Sequence, residues 1–307
     1  MVLGLALALT AMVLAPAGAA AQLPPPTPCD GCYKPKPRTS SWQIQFQGRI
    51  KTSVRARFFS IDVSKSANTV RALKRRGRRV ACYINVGAWE NFRGDRDAFP
   101  PELLGAEYQG FPEERWLDIR RIDLLAPILR ARVDTCRAKG FDGVDPDNVN
   151  GFENETGFPL SAGDQLRFNT WLANEVHARG LSVGLKNDGT QAGVLAPYFD
   201  WVIVEECIQQ KNCGEYAPFT RARKAIFAVE YRKPTRRACN QARRRRISVV
   251  FKSPALFARR RTCADLRGGQ GLVPWHRAGG RSSAGRAPGC GPGGRGFESR
   301  RSRAGCP

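Results

Sequence analysis

Eight short apolar runs, each closed by charged or turn-forming residues, recur between positions 42 and 252. They alternate with stretches whose apolar residues return every three or four positions. The runs at 42–46, 57–63, 79–86, 141–148, 181–187, 200–206, 224–230 and 247–252 read as strands buried on both faces. The segments 69–76, 124–139, 162–179 and 235–246 carry the helical period. This alternation predicts an α/β protein with one closed (β/α)8 barrel, the TIM architecture. An open, doubly wound sheet shares the alternation, but no Gly-rich phosphate loop follows the first strand. The interval 87–122, rich in Trp, Phe and Tyr, reads as a long loop excursion after the third strand.

Outside those runs the pattern changes. Residues 3–15 are apolar but too few for a span of about 20 helical residues, and small residues follow at Ala17 to Ala21. A signal peptide over 1–21 is therefore expected, and the lack of basic residues before the apolar run suggests a start further upstream. Residues 22–40 form a Pro-rich linker, 41–263 the barrel, and 264–307 a tail of Gly, Arg, Ser and Pro that lacks the apolar content to pack and is expected to be disordered. Within that tail, Gly296-Phe297-Glu298-Ser299 matches the translation of a transfer-RNA T-arm, so read-through into a neighbouring gene is the expected origin of the segment.

Composition narrows the chemistry. Ten cysteines in an exported chain favour disulfides, with Cys207–Cys213 and Cys239–Cys263 as expected bridges; Cys29 and Cys32 either pair locally or bind metal. The two histidines, His177 in a predicted helix and His276 in the tail, leave no basis for a His-dependent triad or a His-rich metal site. A net charge of +23 ordinarily suggests nucleic acid, yet the excess lies in Arg243–Arg246, Arg259–Arg261 and the tail, without interleaved aromatics for base stacking. These clusters read as solvated helix faces, with loose attraction to an anionic cell envelope and no specific nucleic-acid partner.

Carboxylates remain, and their placement is informative. Phe-Asp-Gly-Val-Asp-Pro-Asp-Asn at 141–148 and Trp-Val-Ile-Val-Glu-Glu-Cys at 201–207 are apolar runs that end in acids, where barrel enzymes keep their catalysts. Asp145 and Asp147 share parity, with Asp147 nearer the mouth and Asp142 at the far end. Alternation alone does not decide whether Glu205 or Glu206 turns inward. Two carboxyls across a mouth, one a proton donor and one ionised, are what a glycosidase requires.

At these residues the chain resembles glycoside hydrolase family 114, the endo-α-1,4-polygalactosaminidases. The resemblance covers about 42–263 and rests on Trp42-Gln-Ile-Gln-Phe, Cys82-Tyr-Ile-Asn-Val-Gly-Ala-Trp-Glu90, Glu114-Arg-Trp-Leu-Asp-Ile-Arg120, Gly140-Phe-Asp-Gly-Val-Asp-Pro-Asp-Asn148, Gly184-Leu-Lys-Asn-Asp188, Glu205-Glu-Cys207 and Val229-Glu-Tyr231. Asp145 stands where the family has Glu, and Val204 and Glu206 where it has Asn and Gln. The resemblance implies Asp147 as nucleophile and Glu205 as acid/base. Asp62, Tyr83, Asn85, Asp118, Asp145, Lys186, Asn187, Asp188, Glu206, Glu230 and Tyr231 are the expected substrate-binding residues. It implies a secreted or envelope-associated monomeric hydrolase of amino-sugar polymer, with no metal and no cofactor. A chitinase-type reading needs a closing Glu where Val149 stands. The competing classes are a catalytically weak polysaccharide-binding barrel and a basic polyanion-binding protein.

Overall fold

The computed structural model describes residues 22–37 and 41–266. The predicted signal peptide, His276, Cys290, Cys306 and the tail from 267 onward lie outside the described residues. Eight parallel strands form the barrel in the order β1 (Trp42–Gln45), β2 (Phe58–Asp62), β3 (Arg79–Asn85), β7 (Gly143–Asp147), β8 (Ser182–Lys186), β9 (Trp201–Glu205), β10 (Ala225–Glu230) and β11 (Ile247–Phe251). Each falls within one of the eight predicted runs. Between them lie α1 (Ala67–Arg75), α2 (Ile122–Ala138), α3 (Ala162–Ala178), the short α4 (Ala192–Leu195), α5 (Cys207–Gln210) and α6 (Ala217–Arg221), and α7 (Arg236–Arg244). Side chains cap the long helices where the sequence supplies them: Ser161 and Asp164 form a reciprocal capping box on α3, and Ser66 and Thr235 cap α1 and α7.

Alternation along the strands divides the barrel interior into an apolar floor and a polar mouth. At the floor, Phe58 stacks on Phe227 with ring centroids 4.7 Å apart and meets Trp201 edge-on at 5.0 Å. Gly184 makes room for this cluster, since a Cβ there would lie 2.0 Å from the Trp201 ring. Large and small residues facing one another fill the taper. Two residues up each strand the inward positions become Tyr83, Asp145, Ile203 and Val229, and at the rim Asn85, Asp147, Lys186 and Glu205.

Residues 87–122, expected as a loop, instead build a three-stranded antiparallel sheet in the order β4 (Ala88–Glu90), β6 (Phe111–Leu117), β5 (Leu104–Tyr108). A two-residue turn, Gln109-Gly110, joins β5 to β6, with Gly110 at φ +84°. Gln-Gly is not a strong hairpin dipeptide, β4 has only three residues and β6 interposes Pro and three charges, so the strand period is hidden.

The barrel closes at β1 and β11 without a backbone ladder between them among the described residues. Side chains stitch the seam instead: Trp42 Nε1 donates to Ser248 O at 2.8 Å, Lys252 Nζ to Gln43 Oε1 at 3.2 Å, and Gln43 Nε2 to Ala258 O at 2.7 Å. Arg260 donates to Trp42 O and Arg55 O, and Arg261 forms a backbone bridge to Phe251. The 259–261 cluster, expected as a solvated face, therefore holds the barrel shut through Arg260 and Arg261, whereas Arg243–Arg246 are exposed. The Pro-rich segment also lies against the barrel: Tyr198 and Asn174 donate to the carbonyls of Pro24 and Pro25, and the Tyr33 ring stacks on Phe58.

Four disulfides are present among the described residues. Cys207–Cys213 and Cys239–Cys263 match expectation, and Cys29–Cys32 closes locally rather than holding metal. Cys82–Cys136 was not foreseen; it ties the outward face of β3 to α2 across 54 residues. In the chain-entropy picture a loop of that length stabilises by about 4 kcal/mol, against about 2 for the short Cys207–Cys213 loop. Replacing both Cys82 and Cys136 by Ser is expected to lower the unfolding free energy about twice as much as the same change at Cys207 and Cys213. Denaturant melts check it, and equal losses would contradict it.

Candidate active site

Strands β7, β8 and β9, adjacent in the barrel, each present one ionisable side chain to the mouth. Asp147 comes from the last position of β7, Lys186 from that of β8 and Glu205 from that of β9. The chain then leaves all three strands through left-handed residues: Asn148 (φ 61°), Asn187 (51°) with Asp188 (52°), and Glu206 (57°). Asn and Asp tolerate this region, but a Glu there is uncommon, so the turn out of β9 is held against its local preference. The turns serve the site. Asn187 Oδ1 accepts from the Glu205 backbone N–H at 3.0 Å, and Asn148 Nδ2 donates to Asn85 at 3.0 Å.

Lys186 joins β7 and β9 electrostatically. Its Nζ lies 3.1 Å from Asp147 Oδ1 and 3.4 Å from Glu205 Oε1, with its side chain 1% exposed. Burial works against the charge of the ammonium, but the carboxylates of Asp147, Glu205 and Asp145 outweigh it and hold the lysine above its ordinary pKa. Asp147 also accepts from the Tyr83 hydroxyl at 2.9 Å, so both its oxygens meet donors. Glu205 has no such pair. Burial pushes its carboxyl up to about 7, an effect Lys186 reduces and Asp147 reinforces. The Tyr231 hydroxyl beside it also tempers the rise, though loosely placed. One carboxyl saturated with donors beside one poised near neutrality is the division of labour of a nucleophile and a proton donor.

Of the expected binding residues, Tyr83, Asn85, Lys186, Asn187 and Tyr231 surround this pair. Asp62 stands at the mouth end of β2, where Arg93 grips it with two hydrogen bonds of 2.8 and 3.0 Å. Three others are held by protein groups. Asp145 points inward as predicted but is fully enclosed one layer beneath Asp147, hydrogen-bonded by Ser60 at 2.6 Å, and burial pushes it up to about 6. Glu230 follows the opposite parity and faces the helix layer, accepting from the backbone N–H groups of Ile208 and Gln209. Asp118 lies beyond β6 in a two-point pair with Arg120. Glu206, half-buried at the exit of β9, leaves the inward position to Glu205.

The inserted sheet adds residues that the sequence reading missed. Glu90, Arg93, Tyr108 and Glu114 all line the same side of the mouth: Arg93 bridges Glu90 to Asp62, Asn85 Nδ2 donates to Glu114 at 3.4 Å, and the Asp147 carboxylate raises the pKa of the Tyr108 hydroxyl, already raised by burial. No group of three His, Cys, Asp or Glu suited to a metal ion occurs among the described residues.

The sequence profile of glycoside-hydrolase family GH114 matches residues 25–267. The chain belongs to this family. Among solved structures, Ega3 of Aspergillus fumigatus, crystallised in complex with galactosamine, is 34% identical, with a TM-score of 0.73 over 78% of this chain and 99% of that one. The glycoside hydrolase domain of PelA from Pseudomonas aeruginosa, at 15% identity and TM-score 0.59 over 72% of this chain and 98% of its own, shares the fold. No curated protein sequence matches the chain. The protein is a glycoside hydrolase, and the acid-lined mouth of its barrel is where its chemistry is to be sought.

Asp188 gives this hydrolase a pH signature of its own. It is buried behind the mouth, accepts from Asn169 at 3.0 Å, and leaves Oδ1 without a partner. Burial and the Glu153 carboxylate push it up to about 8. An aspartate in the unfolded chain titrates near 4, so the folded state binds the extra proton between those values and stability falls as pH rises from about 4 to about 8. Asp188→Asn is expected to flatten that fall, with a gain over wild type on the order of 2 kcal/mol at pH 8 and little at pH 4. Thermal melts across that range test it, and parallel curves for the two proteins would refute the assignment.

Proposed function

We propose that the protein is a secreted endo-glycosidase that hydrolyses α-1,4-linked galactosamine-containing polysaccharide, with Asp147 as nucleophile and Glu205 as acid/base. The observation that carries this reading is the pair of carboxyls on one buried ammonium. Their distances of 3.1 and 3.4 Å from Lys186 Nζ together limit the separation of the two oxygens to about 6.5 Å. Retaining glycosidases hold their carboxyls about 5–5.5 Å apart and inverting ones about 6.5–9.5 Å, to admit a water. The bound favours retention.

In that mechanism Glu205 gives its proton to the glycosidic oxygen as the C1–O bond breaks, and Asp147 attacks C1 from the opposite face to form a glycosyl ester. Water then attacks C1 as Glu205 takes back a proton, which frees the sugar and restores both groups. No metal or organic cofactor enters these steps. Family membership and the galactosamine bound to the 34% identical Ega3 support an amino-sugar substrate. The acids of the mouth would attract such a polymer, whose free amines are cationic, despite the overall charge of the chain. Four disulfides and the leader-like residues 1–21 support export to an oxidising compartment, where the exposed Arg243–Arg246 would give loose attraction to an anionic envelope.

Asp147→Asn and Glu205→Gln are each expected to fold and to lose several orders of magnitude in turnover of galactosamine polymer. For wild type, kcat/KM should decline above about pH 7 as Glu205 loses its proton. Glu205→Gln should lose that decline on substrates whose leaving group needs no protonation. Azide should rescue the small variants Asp147→Gly and Glu205→Gly with opposite anomers of the glycosyl azide. Near-wild-type turnover in either folded amide variant would remove that residue from the mechanism.

A further inference from the structure

The inserted sheet carries acids that these steps leave unused, two of them buried beside the mouth. Glu90 on β4 and Glu114 on β6 are direct cross-strand partners, and like charges so placed repel. Both are buried, at 2% and 6% exposure. Arg93 resolves half of the conflict: its guanidinium meets Glu90 at 2.6 Å and forks onto Asp62, so its donors are engaged. Glu114 receives a hydrogen bond of 3.4 Å from Asn85 and, among the described residues, no ion pair. A carboxyl nine-tenths buried without a cation is costly to keep ionised.

Its position places that need beside the reacting atoms. Asn85, its donor, is the register partner of Asp147 across β3 and β7. The charged and titratable groups that act on Glu114 are Glu90 and Arg93 from the β4 side, Asp147 from β7, Tyr83 from β3, Tyr108 from β5 and, from the opposite face of its own strand, Glu113. Burial first, then Glu90 and Asp147, push Glu114 up to about 8, against the pull of Arg93.

We propose that Glu114 recognises the ammonium group of a galactosamine unit at the active site and sets the preference of the hydrolase for free-amine over N-acetylated sugar. An ammonium entering beside Glu114 supplies the cation that Arg93 supplies to Glu90. The carboxyl then ionises, its proton passes to solvent, and a charge-assisted hydrogen bond forms from ammonium to carboxylate. An N-acetyl group is neutral and larger; it leaves the carboxyl unpaired.

This inference rests on the substrate reading above, and its test separates the two. The full-length enzyme and Glu114→Gln are assayed on fully de-N-acetylated and on N-acetylated α-1,4-galactosamine oligomers. The ratio of the two kcat/KM values is expected to fall at least about tenfold in the variant, and an unchanged ratio overturns the assignment. The second arm needs no turnover. Galactosamine is titrated calorimetrically at pH 7 in buffers of different ionisation heat, where wild type should release roughly half a proton or more per site and Glu114→Gln less than half of that amount. No release by wild type, or equal release and affinity in the two proteins, overturns the proposal whether or not either polymer is cleaved. Removing an unpaired buried carboxyl should leave the melting temperature unchanged or raised, and Glu114→Leu provides the same comparison should the amide not fold. If wild type releases the proton but cleaves neither oligomer, the polymer-hydrolase reading fails and the ammonium site stands.

Discussion

A single buried ammonium holds the acidic mouth of this barrel together. Lys186 is enclosed where burial alone would discharge it, and it stays charged because Asp147, Glu205 and Asp145 surround it. The dependence runs both ways. Three carboxyls within reach of one another in a low-dielectric mouth could not share that space if all were ionised, and the lysine permits some of the charge while burial suppresses the rest. The outcome is graded: Asp147 meets donors at both oxygens, Glu205 titrates near neutrality, and Asp145 titrates below it from a closed layer underneath. The lysine also fixes distance, since it draws together carboxyls from strands two places apart in the sheet.

The rest of the fold supplies rigidity to that triangle. The aromatic floor fills the lower barrel and excludes water from beneath the charges, which keeps their interactions strong. The left-handed exits after β7, β8 and β9 spend local conformational preference to hold the side chains that orient Glu205 and Asn85. The inserted sheet adds a wall with its own acids, one of them matched by Arg93 and one not.

Most of the barrel was legible in the sequence because strands buried on both faces read as uninterrupted apolar runs, whatever lies on either side of them. Asp147 was legible at the mouth for the complementary reason, as an acid of inward parity at the end of such a run, whereas only the family resemblance separated Glu205 from Glu206. The losses have equally physical causes. In β6, Glu114 and Trp116 face the mouth while Glu113 and Arg115 face away, and a run with charge on both faces gives no period from which to extract one acid. Glu230 and Tyr231 sit side by side, and counting inward positions from Phe227 and Val229 would have assigned Tyr231 to the mouth and Glu230 to the helices. Asp145 obeyed parity, but depth within a barrel is a tertiary property. Cys82 and Cys136 stand 54 residues apart on different kinds of element, so no spacing rule joins them.

The unladdered seam between β1 and β11 gives the barrel a preferred line of weakness. In the strand order, β7, β8 and β9 occupy the fourth, fifth and sixth places, across the barrel from that line. Mechanically the molecule is a curved sheet whose two free edges are latched by Trp42, Gln43, Lys252 and Arg260, and motion at the latch reaches Asp147, Lys186 and Glu205 only after crossing two or more backbone ladders. Swelling or partial opening of the barrel would therefore begin away from the strands that carry those three side chains.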